Sequence, residues 1–124
     1  MAEKLTTKGK KTRENIMNTA KKLFYERGYT NTGIQDIAEE AGVKLGTMTY
    51  YFKKKTDLVG EIYNTYFMGL YNSISETLGQ EATLFTKYCF TLICFFDDIL
   101  KDSKNARFYY EILEKMPAVK SVCI

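Results

Sequence analysis

The residues best suited to chemistry lie between Thr32 and Lys55, and that chemistry is recognition rather than catalysis. Leu45, Gly46, Thr47, Thr49 and Tyr50 are short or planar and carry no charge. A helix with such groups on one face comes close to the edges of nucleic-acid bases, where bulky ions would hold it off. A threonine hydroxyl serves donor or acceptor edges, and Leu45 suits a thymine methyl. Tyr50, Tyr51 and Lys53-Lys54-Lys55 offer phosphate contacts, which set register without reading sequence. Tyr51 suits core packing nearly as well, and Lys53 and Lys54 also fit a solvated turn. Catalytic equipment is sparse. There is no histidine, and the carboxylates lack metal-ligand spacing. Scattered carboxylates and tyrosines are the remaining acids and bases. No enzymatic role, metal or other cofactor is expected.

Two elements must present that face, and their spacing is specific. A helix-turn-helix needs a small residue where its helices cross, and a glycine four residues later for a left-handed turn. A buried apolar residue follows six positions on. Ala38, Gly42 and Met48 satisfy this together, with Ile37, Ala41, Val43 and Tyr51 at the neighbouring half-buried positions. A plain helical hairpin closed by glycine is the competing reading.

The surrounding chain reads as all-α: a three-helix bundle containing the helix-turn-helix, a long connecting helix, and two further helices. Residues 1–12 are polar and lysine-rich and read as a flexible basic arm. A first helix runs to about Arg27, with Ile16, Ala20, Leu23 and Phe24 inward and Gly28 as its stop. Thr32 and Gln35 fit a capping box for the second helix, whose face carries Ile34, Ile37, Ala38 and Ala41. The third spans about Leu45 to Phe52. The later helices are placed at about Thr56–Leu78, Ala82–Lys101 and Lys104–Met116, with a turn at Gly79-Gln80. Residues 1–55, with the helix-turn-helix, form one expected domain, and residues 56–124 the helical remainder.

Charge follows the same division. Residues 1–55 hold 12 Lys/Arg against 6 Asp/Glu, whereas 56–124 hold 6 against 9. An anionic partner therefore suits the first part alone. Hydrophobic residues make up 45% of the 124, enough for a core and too many for a disordered chain. Cys89, Cys94 and Cys123 form no paired motif and read as reduced thiols of a cytoplasmic protein. The apolar run Tyr88–Phe96 is far short of the roughly 20 residues that span a bilayer.

The runs Ile37-Ala38-Glu39-Glu40-Ala41-Gly42-Val43, Gly46-Thr47-Met48-Thr49-Tyr50-Tyr51-Phe52 and Lys55-Thr56-Asp57-Leu58 resemble the signature of the TetR family. So do Ala20-Lys21-Lys22-Leu23-Phe24 and Arg27-Gly28-Tyr29, and the likeness covers about residues 10 to 62. The resemblance implies a homodimeric bacterial repressor without enzymatic activity. Its first three helices would bind a palindromic double-stranded operator. A larger helical regulatory domain, of which residues 56–124 would be a partial form, would dimerise and bind a small hydrophobic effector. Carried over by position, the DNA contacts are Thr32, Gly33, Gln35, Lys44, Leu45, Gly46, Thr47, Thr49, Tyr50, Tyr51 and Lys55. Lys55 would stand at a helix N-terminus that itself favours phosphate. Phe67, Tyr88, Leu92, Phe96 and Tyr109 are the expected pocket residues.

The likeness has gaps. Lys44 stands where relatives carry a small hydroxyl residue, which weakens the cap of the third helix. Thr49, Tyr51 and Gln35 replace a common aromatic, histidine and basic residue, so no relative's operator can be borrowed. Arg107–Leu113 resembles the family's sixth helix, and the two long helices that dimerise its members do not follow. Self-association through Phe90, Phe95, Phe96, Tyr109 and Ile112 is one expectation from this shortness. The other is poor DNA binding, and the competing reading of function is a short interaction protein that pairs with a full-length relative and modulates its DNA binding.

Overall fold

The computed structural model describes residues 6–115, which form six helices and no strand. These are α1 (Thr7–Arg27), α2 (Ile34–Ala41), α3 (Leu45–Tyr51), α4 (Lys55–Leu78), α5 (Leu84–Lys101) and α6 (Ser103–Lys115). Met116, Pro117 and Cys123, like Lys4 of the expected arm, lie outside the described residues. The chain forms two compact units that part between Val59 and Gly60, inside α4 and four residues beyond the expected division.

In the first unit α1 packs on α2 and α2 on α3. Ile16, Ala20, Leu23 and Phe24 recur at helical spacing and are all buried, and Ile37, Ala38, Met48, Phe52 and Leu58 complete this core. The spacing that predicts a helix-turn-helix is realised in the turn. Gly42 adopts φ 71° and ψ 30°. The Val43 N–H reaches the Ala38 carbonyl at 3.0 Å and the Gly42 N–H the Glu39 carbonyl at 3.1 Å. That pair of bonds is the Schellman closure, which satisfies carbonyls that the end of α2 leaves over.

The expected arm is corrected in its described part. Lys8, Lys10 and Lys11 belong to α1, which starts at Thr7 because the Thr6 hydroxyl accepts the Gly9 N–H at 3.1 Å. A threonine cap here removes the need for a loop up to residue 12. The expected capping box moves by one residue. Gly33 caps α2, and the Asp36 carboxylate, not Gln35, accepts the Gly33 N–H at 2.8 Å.

In the second unit α5 packs on α6. Thr83 caps α5 by accepting the Thr86 N–H at 3.1 Å, and Asp102 accepts the N–H groups of Lys104 and Asn105 at 2.8 and 3.2 Å to open α6. Phe95 is the hub of an aromatic cluster, with Tyr63, Tyr66, Phe67 and Phe96 all between 5.5 and 5.8 Å from it, centroid to centroid. It is buried, so it leaves the set expected to self-associate, and Tyr109 and Ile112 are half-buried. Phe90 and Phe96 remain exposed. The open apolar surface of α5 is a stripe of Phe85, Ile93, Phe96 and Leu100, with half-buried Cys89 between.

Candidate nucleic-acid interface

The sequence of α3 divides its two faces. Met48 is fully buried beneath it and Phe52 caps its end inside the core. Leu45 is 50% exposed and Tyr50 66%, with Gly46 and Thr49 also exposed and Thr47 half-buried. The outward face is thus apolar, hydroxylic and aromatic without a charge, built on a helix anchored by one methionine. Thr49 donates its hydroxyl to the Gly46 carbonyl at 3.2 Å, which turns its oxygen lone pairs outward as acceptors. Lys44 precedes α3 in extended conformation and makes no side-chain cap, in keeping with the weak cap expected of a lysine there. Tyr51 is half-buried and meets Tyr50 edge to face at 5.1 Å, so the two rings brace each other.

The start of α2 differs from expectation at one residue. Thr32 is 1% exposed, and its hydroxyl donates to the Gly28 carbonyl at 2.8 Å, with the Leu23 carbonyl at 3.4 Å. Its side chain therefore ties the turn to the end of α1 and does not face a partner. Gly33 is half-buried and Gln35 exposed beside it. Lys53 and Lys54 are exposed. Lys55 is half-buried, with its Nζ donating to the Tyr29 carbonyl at 2.8 Å.

Two positioning groups escape a reading by motif. Asn15 on α1 donates its amide to the Ala41 carbonyl at 2.9 Å, one of the carbonyls that α2 leaves unpaired at its end. Arg13 lies 5.0 Å over the Phe52 ring, bracing the exit of α3. Both contacts are long-range, and no local pattern announces them.

Two of the expected pocket residues meet at one groove. Phe67 and Tyr88 line an open groove of about 450 Å³ with Met68, Tyr71, Leu84 and Phe85. Leu92, Phe96 and Tyr109 are not among its lining residues. Phe96 and Tyr109 instead meet edge to face at 6.0 Å within the aromatic cluster. Among the described residues no group of side chains is arranged to hold a metal ion, and no helix is long and apolar enough to cross a membrane.

A small first unit with a glycine-turned helix pair and an exposed, uncharged second helix defines a helix-turn-helix protein. Residues 16–62 match the model for bacterial regulatory proteins of the tetR family, which supports a TetR-family regulator. It is 38% identical over 63 residues to the HTH-type transcriptional regulator AcrR of Shigella flexneri, covering 51% of this chain and 29% of the relative. It is 27% identical over 96 residues to the probable regulator YttP of Bacillus subtilis, covering 77% and 45%. With the probable regulator ArpR of Pseudomonas putida it shares 25% identity over 125 residues, covering 99% and 59%. The chain thus spans between about a third and three fifths of the length of these curated relatives. No solved structure matches it significantly.

Proposed function

We propose that the chain is a DNA-binding transcriptional repressor that acts as a homodimer on a palindromic duplex, without enzymatic activity. The exposed face of α3 carries this reading: Leu45, Gly46, Thr49 and Tyr50 stand outward above a buried Met48. Thr47, Tyr51, Lys44, Gln35 and the backbone at Gly33 flank that face as further DNA contacts. Lys8, Lys10 and Lys11 at the start of α1 add cations for phosphates. Thr32 is left out because its hydroxyl is engaged inside the protein.

Release by a small hydrophobic effector belongs to the same proposal. The apolar groove between Phe67 and Tyr88 supports it, since ligand sites commonly run from roughly 300 to 1,000 Å³. A cytoplasmic location follows from the work proposed. The stripe on α5 favours a second reading, in which the chain pairs with a full-length relative and modulates that protein's DNA binding.

Selection of bound duplexes from random DNA tests the first reading. A two-fold symmetric consensus is expected, with half-site centres roughly 34–36 Å apart. Enrichment of no sequence by the chain alone, with recovery only when a relative is added, selects the second.

A further inference from the structure

Thr49 stands one turn beyond Leu45 on the same face of α3, and both side chains are exposed. The Thr49 hydroxyl donates to the Gly46 carbonyl at 3.2 Å. A hydroxyl has one proton to give and two lone pairs that accept. With its proton held by its own helix, Thr49 offers lone pairs to whatever lies over it. Turning the proton to a base instead breaks a bond inside α3, and accepting breaks none. Thr49 therefore favours a donor opposite it. In the major groove the donors are two exocyclic amino groups, N6 of adenine and N4 of cytosine.

Leu45 separates these two. Its apolar carbons suit the 5-methyl group of thymine, and only an A·T pair carries both an amino donor and a methyl group in the major groove. Four helical residues rise roughly 6 Å, less than two base-pair steps of about 3.4 Å, so one pair and its neighbour meet both side chains. Gly46 lies between them, exposed, and a Cβ there would meet nothing in the protein within 4 Å. It is not among the glycines of positive φ, so the fold itself makes no demand for glycine here. Its bare backbone leaves room for a base edge to come close. No residue of α3 carries the guanidinium, ammonium or amide that makes bidentate contacts to bases. We propose that Thr49 and Leu45 together select A·T pairs. The Thr49 Oγ1 accepts from adenine N6, and Leu45 packs on the thymine methyl of the same pair or the one beside it. This rests on the DNA-binding reading above and adds the base that α3 selects.

The test uses the full chain and a duplex recovered by selection, altered one base at a time. Purine in place of adenine deletes the N6 amino group, and uracil in place of thymine deletes the methyl. Affinities are compared for the unmodified chain, Thr49→Val, which keeps the branched shape without the oxygen, Thr49→Ser, which keeps the hydroxyl, and Leu45→Ala. Circular dichroism confirms that each is folded at the temperature used. At one adenine in each half-site, purine should weaken the unmodified chain about tenfold, the scale of one net hydrogen bond. Thr49→Ser should keep that sensitivity, and Thr49→Val should bind more weakly but respond no further to purine. At one thymine in the same or the adjoining pair, uracil should weaken the unmodified chain about fourfold, the scale of one buried methyl, and leave Leu45→Ala unaffected. A Thr49→Val chain as sensitive to purine as the unmodified one at every adenine overturns the proposal. So does an equal response of Leu45→Ala and the unmodified chain to uracil at every thymine, or a loss in Thr49→Val coupled to the N4 amino group of a cytosine. A consensus without an A·T pair overturns it outright. Selection that enriches no duplex is a separate result, in which the DNA-binding reading itself fails and takes the proposal with it.

Discussion

At Thr32 a single buried hydroxyl separates two roles that share one position in the chain. Motif position predicts a DNA contact, whereas its bonds to Gly28 and Leu23 give it a structural task. Thr32→Val keeps the shape and removes the hydroxyl donor from the Gly28 carbonyl, so about 1–3 kcal/mol of stability should be lost. Chemical denaturation should register that loss, and the salt dependence of DNA binding should not change. Leu45 and Thr49 are the reverse case, exposed and free of core duty. Leu45→Ala and Thr49→Ala should each relax preference at one or two base pairs, at about 1–3 kcal/mol on the favoured site. Repeating the duplex selection with each variant reads this directly. A thermal midpoint that falls with either change would place that side chain in the core.

Caps and cross-ties help to hold the elements in place. Gly42 is the sharpest instance. A Cβ at this position would meet nothing within 4 Å, so the cost of a side chain lies wholly in the left-handed backbone. Gly42→Ala should therefore cost about 1–2 kcal/mol, seen as a lower midpoint in thermal unfolding. In the second unit the Tyr66 hydroxyl donates to the Asp98 carboxylate, tying α4 to α5. Burial first, and then that bond, push the Tyr66 hydroxyl up from 10.0 to about 12. The folded state therefore favours the protonated phenol. Its contribution is fully present below pH 10, and it fades as pH rises through about 12. Tyr66→Phe should flatten the pH dependence of stability in that alkaline window, and an unchanged profile would place the titrating group elsewhere.

For the whole molecule the open question is what meets α5. Phe85 is 78% exposed, Ile93 65% and Leu100 70%, and these residues share one face of an 18-residue helix. One head alone makes few contacts, and binding near the non-specific level, about 10⁻⁴ to 10⁻⁶ M, is its expected limit. The proposed function therefore calls for a second head, and the α5 stripe is the candidate surface for pairing. Ile93→Glu should lower the sedimentation mass at micromolar concentration to that of one chain and weaken protection of a palindrome. The first unit should keep its fold, because Ile93 lies outside it. A wild-type chain already monomeric at that concentration, yet protecting a palindrome at nanomolar affinity, removes the need for the stripe.

Much of the fold was legible because its signals are local. A residue every three or four positions decides which helix face goes inward, so Ile16, Ala20, Leu23 and Phe24 could be placed without coordinates. A left-handed turn demands glycine, so Ala38, Gly42 and Met48 located the helix-turn-helix, and the exposed face of α3 followed by elimination. What sequence alone left open depends on partners far along the chain. Thr32 looks like a cap until Leu23 and Gly28 are seen beside it, and neither Lys55 nor Asn15 shows a local sign of reaching the Tyr29 and Ala41 carbonyls. Phe95 and Phe96 are adjacent and chemically identical, yet one is a hub of the core and the other opens to solvent. Helical periodicity separates neighbours by about 100° without saying how wide the buried arc is, and only the packing of α5 on its neighbours sets that width.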